Sequence, residues 1–256
     1  MDTIFNRIKV RRLILIYVTL TIVTFVILKL PYLQDLYEKD HCWGEVILNL
    51  LLFTWFYMIL SKESTYGKKK LMTYLRTVDY QKILKLYLLN LGFYIGTGLC
   101  IFLGDAPTKY PSWLFIVFGI TLAPIVEEFI FRGVILNRLK VKYNVVAAIF
   151  VSASIFGILH FDLNLLGRFF FGVLSAILFI ETKNIINCIL LHILHNASIF
   201  VFPIISKYTD ISISDSNEVV LGTLVMVILG CYILSTILNI RYIKHNLPRK
   251  ASESIQ

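Results

Sequence analysis

The sequence predicts an all-α fold: a polytopic membrane helix bundle of about eight transmembrane helices, with both termini cytoplasmic. Three observations lead there. First, 57% of the 256 residues are hydrophobic and only 16% are charged, against about 45–50% and about 25% in soluble domains; mean hydropathy is +0.76. Second, apolar stretches of about 20 residues, the length that spans a bilayer, recur along the chain. Third, lysine and arginine are unevenly shared between the segments that join those stretches. With no repeat, low-complexity linker or appended polar domain, residues 1–256 read as a single integral membrane domain.

Eight candidate spans follow in order: Leu13–Leu30, Gly44–Leu60, Leu84–Leu103, Trp113–Leu139, Val145–His160, Leu165–Ile180, Ile185–Phe202 and Val219–Ile240. The first has a basic start, but its apolar run is too long for a signal peptide and no small-x-small cleavage site follows before Pro31 and Tyr32, so it reads as a retained helix. Gly92 and Gly96 in the third span, and Ala153 and Gly157 in the fifth, have the small-xxx-small spacing that lets helices approach closely in lipid. The polar segment from Ser61 to Lys85 is amphipathic at Leu71, Tyr74, Leu75 and Val78, and reads as lying along the cytoplasmic interface. Ser206 to Glu218 and the tail after His245 read as polar connections. Cys42, Cys100, Cys188 and Cys231 are scattered without a CxxC spacing and indicate no disulfide framework.

With the amino terminus inside, the cytoplasmic segments hold 20 of the 25 lysines and arginines; Lys39, Lys109, Arg168 and Lys207 lie outside and Lys29 within a span. Both termini are therefore expected in the cytoplasm. The net charge of +9 needs no nucleic acid: basic loops beside an anionic leaflet account for it, the Lys68-Lys69-Lys70 run included.

The fourth span carries Glu127 and Glu128 side by side, where each acid costs about 2.5–3.5 kcal/mol on insertion scales. Glu128 and Arg132 are four apart, in the acid-first order that favours a helical ion pair. Glu127 is rotated about 100° away and has no built-in partner; facing a cavity, it is suited to act as a general base. Pro124 leaves a carbonyl unpaired and kinks the helix at this depth. The fifth span ends with Phe156 and His160 sharing a face. In the seventh, His192, His195 and Asn196 fall at i, i+3 and i+4. This polar stripe must look into the protein or a water-filled space, where its nitrogen-bearing side chains suit donation to a developing oxyanion.

A ruler of 1.5 Å per residue from the span midpoints puts Glu127, His192 and Asn196 within about 5 Å of the bilayer centre, and His160 about 10 Å nearer the outer face. The sequence lacks an HExxH zinc helix, a GxSG serine and a pair of membrane aspartates; Asp105 and Asp162 fall at span ends. A glutamate–histidine pair activating water remains. Three histidines with Glu127 also have the residue types of a zinc site with an open position, an alternative that residue types leave open.

Glu127-Glu128-Phe-Ile-Phe-Arg132 fits EExxxR, Phe156 to His160 fits FxxxH, and His192 to Asn196 fits HxxxN. In this order the chain resembles the CAAX-protease and bacteriocin-processing (CPBP, or Abi) family of intramembrane endopeptidases, over a motif-bearing core at about 113–202. The resemblance implies hydrolysis of a membrane-bound peptide or protein by water activated by Glu127 with His160, with His192 and Asn196 stabilising the oxyanion. It gives Glu128 and Arg132 a structural or substrate-orienting role, with Phe156 and His195 in support, and requires no metal or other cofactor. The compact chain looks like the family's bacterial branch, which is linked to bacteriocin maturation, self-immunity and pheromone processing, and so implies a multi-pass protein of the bacterial cell membrane. Two further readings compete: a non-catalytic immunity or regulatory scaffold, and, with no symmetry between the halves to favour it, a transporter using the carboxylates as a proton relay.

Overall fold

The computed structural model describes residues 8–62, 75–103, 111–160, 164–208 and 218–248. The Lys68–Lys70 run, Leu71 and Tyr74 of the interfacial segment, Asp105, Asp162, Lys109, most of the 206–218 connection and the last eight residues lie outside the described residues.

Every described apolar segment is helical, and the all-α bundle is borne out. In chain order the helices are α1 (Val10–Ile27), α2 (Pro31–Lys39), α3 (Cys42–Lys62), α4 (Tyr80–Leu89), α5 (Leu91–Leu103), α6 (Trp113–Ile120), α7 (Leu122–Glu128), a π-helical segment (Phe129–Leu136), α8 (Asn137–Lys142), α9 (Val145–Leu159), α10 (Leu165–Thr182), α11 (Ile185–Tyr208) and α12 (Glu218–Asn246). Among the described residues six helical stretches are long and apolar enough to cross a membrane, and the bent pair α4–α5 makes a seventh. The remaining apolar segment, α9, which is the fifth expected span, has 15 residues; at about 22 Å it is shorter than a hydrocarbon core of about 30 Å. The short helix α2, opened by Pro31 at its first turn, was not expected from the hydropathy.

The centre of the bundle is α10. From Phe170 to Phe179 every residue is buried, as befits a helix apolar on all sides and enclosed by its neighbours. Against it lies α9, so close that a Cβ on Gly172 would stand 3.0 Å from the Cα of Ala153. A Cβ on Gly92 would meet the Cys231 carbonyl, and one on Gly96 the Tyr232 ring, so α5 sits directly on α12. Both small-residue pairs therefore serve helix packing. A left-handed residue, Lys183 (φ 53°), ends α10 and turns the chain into α11, where Asn184 Oδ1 accepts from the Ile186 N–H at 3.0 Å.

The third predicted span is not one helix. It starts earlier, at Tyr80, and bends by 45° at Asn90. An interrupted helix inside a membrane protein needs a neighbour to satisfy the freed backbone groups. Here Asn239 Nδ2 of α12 shares its two hydrogens among the Ser235 carbonyl of its own helix at 2.8 Å, the Leu89 carbonyl at 3.0 Å and the Asn90 side-chain oxygen at 3.4 Å.

Candidate active site

The fourth span is interrupted twice. Pro124 has no N–H to give the carbonyl of residue 120, four positions earlier, and there α6 ends and α7 begins, with Thr121 at φ −111° and ψ −78°. The Thr121 hydroxyl donates to the Val117 carbonyl at 2.6 Å and helps to seal the joint. Just past Glu128 the helix widens into eight residues of π-helix, a form that is rare and frequent at functional sites. The acids thus stand between two departures from regular α geometry.

Glu128 is fully buried and takes part in three polar contacts. Arg132 Nη1 lies 3.0 Å from its Oε1, His192 Nδ1 donates to the same oxygen at 2.9 Å, and the Ser175 hydroxyl donates to Oε2 at 3.2 Å. Arg132 is also buried, donates to the Gly172 carbonyl at 3.3 Å, and lies over the rings of Phe156 and Phe171 at 5.0 and 5.5 Å. The expected Glu128–Arg132 pair exists, and it is tied to α10 and α11 as well.

Glu127 points elsewhere. Its Oε2 lies 3.5 Å from His160 Nε2 and 3.7 Å from His192 Nε2, longer than ordinary hydrogen bonds, and is buried with no hydrogen-bond partner among the described residues. The side chain as a whole keeps 26% of its surface exposed, so the group is both enclosed and reachable. His160 caps the end of α9, and its Nδ1 donates to the Phe156 carbonyl at 2.7 Å. A carbonyl can only accept, so Nδ1 carries the proton; in the neutral ring Nε2 then bears the lone pair. The same holds for His192, whose Nδ1–H is given to Glu128.

Structure corrects the depth ruler. The offset of about 10 Å that it gave does not keep the side chains apart, since His160 Nε2 stands 3.5 Å from Glu127 Oε2. It corrects the shared face of α11 too. Positions i+3 and i+4 lie about 100° apart around a helix, and the two side chains diverge: His195 Nδ1 meets the Tyr94 hydroxyl at 3.0 Å, while Asn196 Nδ2 donates to the Gly119 carbonyl at 2.7 Å. Glu127, His160 and His192 are brought together; His195 is not, and Asn196 approaches from the side of α6. The zinc set of three histidines with Glu127 is therefore not assembled, and among the described residues no group of three or more His, Cys, Asp or Glu is placed to hold a metal ion.

Three contributors escaped the sequence reading. Ser175, a lone hydroxyl midway along an apolar span, carried a signal that could have found it. Phe171, stacked on His195 at 4.3 Å and tilted against His192 at 4.8 Å, carried none, nor did Tyr94.

Comparison with known proteins fits this site. Over 100 residues the chain is 30% identical to "Membrane-embedded CAAX protease MroQ" of Staphylococcus aureus (strain USA300), covering 36% of this chain and 40% of that protein. It is 36% identical over 92 residues to "Putative membrane peptidase YdiL" of Bacillus subtilis (strain 168), covering 36% of this chain and 38% of that protein. The matched region thus spans about two-fifths of the curated relatives' length. No solved structure matches the chain. Residues 109–198, which hold Glu127, Glu128, Arg132, His160, His192 and Asn196, match the family model described as type II CAAX prenyl endopeptidase Rce1-like, and the resemblance to the CAAX-protease family carried by the three motifs is borne out.

Proposed function

We propose that the protein is an intramembrane endopeptidase of glutamate type that hydrolyses a peptide bond in a membrane-associated peptide or protein. The observation that carries this is the convergence of two imidazole Nε2 atoms on one buried oxygen of Glu127. Three groups that accept in their ordinary forms leave a gap that a water molecule fills by donating one O–H to Glu127 Oε2 and the other to His160 Nε2. Removal of a proton by Glu127 frees the water oxygen to attack the scissile carbonyl carbon. The C–N bond then breaks, and the proton held by Glu127 passes to the leaving amine.

The carbonyl oxygen gathers negative charge in this step and needs donors. His192 Nε2 donates only as imidazolium, because Nδ1 already gives its proton to Glu128. Asn196 Nδ2 has two hydrogens, one given to Gly119 and the other left for the oxyanion. Glu128 and Arg132 orient His192 without touching substrate.

The reading extends to the whole chain as one membrane domain with its working core at about 113–202. Both termini face the cytoplasm of a bacterial cell, on the asymmetry of lysine and arginine, and the partners are the bilayer and a membrane-bound peptide. Maturation of a bacteriocin or pheromone, or self-immunity, is the setting suggested by the family resemblance. The test is cleavage of membrane peptides by purified protein in detergent, with and without a strong zinc chelator. Glu127→Gln and His160→Ala are expected to lower turnover by about 10²–10⁴-fold while wild type keeps its activity in chelator. Activity in Glu127→Gln, or loss on chelation that zinc restores, overturns the mechanism.

A further inference from the structure

We propose that Tyr94, on the bent span and outside the family-matched residues 109–198, is a positioning residue for His192, acting through His195 and Phe171. This rests on the protease reading above. Four buried rings make up the device. The Tyr94 hydroxyl lies 3.0 Å from His195 Nδ1, with the two rings edge to face at 5.1 Å. His195 stacks on Phe171 at 4.3 Å, 27° from parallel. Phe171 in turn bears on His192 at 4.8 Å and on Arg132 at 5.5 Å. Tyr94, His195, Phe171 and His192 are all buried.

Among the described residues His192 has one polar tether, Glu128 at Nδ1, and a ring held by a single hydrogen bond can still swing about it. Swinging would carry Nε2 away from Glu127 Oε2, now 3.7 Å distant. Phe171 closes one side of that arc and Phe156, edge-on at 5.7 Å, another. Phe171 is itself held by His195, and of the two nitrogens of His195 only Nδ1 has a hydrogen-bond partner among the described residues, Tyr94. The bend at Asn90 thus matters to the site: it aims α5 so that Tyr94, four residues on, reaches α11.

An internal control exists. One helical turn past His195, Ser198 bonds Tyr87 of α4 at 2.8 Å. Tyr87→Phe therefore removes a second tyrosine hydroxyl bond between the bent pair and α11, one that ends on no histidine. If Tyr94 only fastens helices, Tyr94→Phe and Tyr87→Phe behave alike.

The experiment compares Tyr94→Phe, Tyr87→Phe, His195→Phe and the Tyr94→Phe/His195→Phe double variant. Turnover on a cleaved peptide is read together with the ¹⁵N resonances of His192 in histidine-labelled protein in micelles. Tyr94→Phe is expected to lower kcat about tenfold or more with KM little changed, the kind of loss that follows a small misplacement of a reacting group. It should also move or broaden the His192 resonances, while Tyr87→Phe does neither. In the double variant the losses should not add, because both substitutions cut one line of support. The proposal is overturned if Tyr94→Phe leaves kcat and the His192 resonances at wild-type values, or if Tyr87→Phe changes them equally. A wild-type protein that cleaves nothing counts against the protease reading alone, since the resonances still report on the positioning.

Discussion

Exchanging Glu128 for glutamine should unfold this protein more readily than the same exchange one residue earlier, and the structure sets the size of the difference. Glu128 is fully buried and holds Arg132 at 3.0 Å, His192 at 2.9 Å and Ser175 at 3.2 Å. Glutamine keeps the shape but takes the negative charge away from a guanidinium that is itself 1% exposed. Removing one member of a buried ion pair costs about 3–5 kcal/mol, because the remaining charge stays buried without its partner. Glu127 Oε2 has no hydrogen-bond partner among the described residues, and its nearest nitrogens are 3.5 and 3.7 Å away, so Glu127→Gln should cost under about 1 kcal/mol. Reversible unfolding in mixed micelles, followed by circular dichroism, measures both. Removing both charges with Glu128→Leu and Arg132→Met should recover much of the stability and none of the activity, since His192 Nδ1 then lacks its acceptor. Equal losses for Glu127→Gln and Glu128→Gln, or a Glu128→Gln loss under about 1 kcal/mol, would refute the division of labour between the two acids.

Other predictions test the frame around the site. Gly172→Val should push α9 away from α10, since even a Cβ would stand 3.0 Å from the Ala153 backbone; a loss of about 1–3 kcal/mol with a fall in kcat follows, because α9 carries His160. Gly222→Ala, where nothing lies within 4 Å of the added carbon, should be neutral or stabilise by up to about 1 kcal/mol in the same unfolding assay. Asn239→Leu should cost about 1–3 kcal/mol by leaving the Leu89 carbonyl without its donor, and faster hydrogen exchange near Asn90 would locate the damage.

Local features of this molecule were legible in the sequence, and features made by distant partners were not. Hydropathy marked the apolar segments because lipid demands continuous apolar runs whatever the tertiary arrangement. The Glu128–Arg132 pair was visible because both ends sit on one helix at a spacing fixed by geometry. His192 reaching Glu128 across 64 residues has no such local signature. Spacing on α11 placed His195 and Asn196 on a common face, and the error lay in treating a sector of about 100° as one direction. The break at Asn90 went unseen because nothing near it in sequence announces Asn239, which makes the bend tolerable. Pro124 did announce the joint at Thr121, whereas the π-helix after Glu128 had no sequence mark.

Hydrolysis inside a bilayer has a supply problem, since the oily interior holds almost no water. At about 22 Å, α9 is about 8 Å shorter than a hydrocarbon core of about 30 Å, and His160 stands at its tip. Thinning of the bilayer is one way lipid accommodates so short an apolar stretch, and it brings the aqueous boundary toward the histidine. On the proposed hydrolytic reading, this shortfall of about one and a half turns serves as a well, shortening the distance that each consumed water molecule must travel.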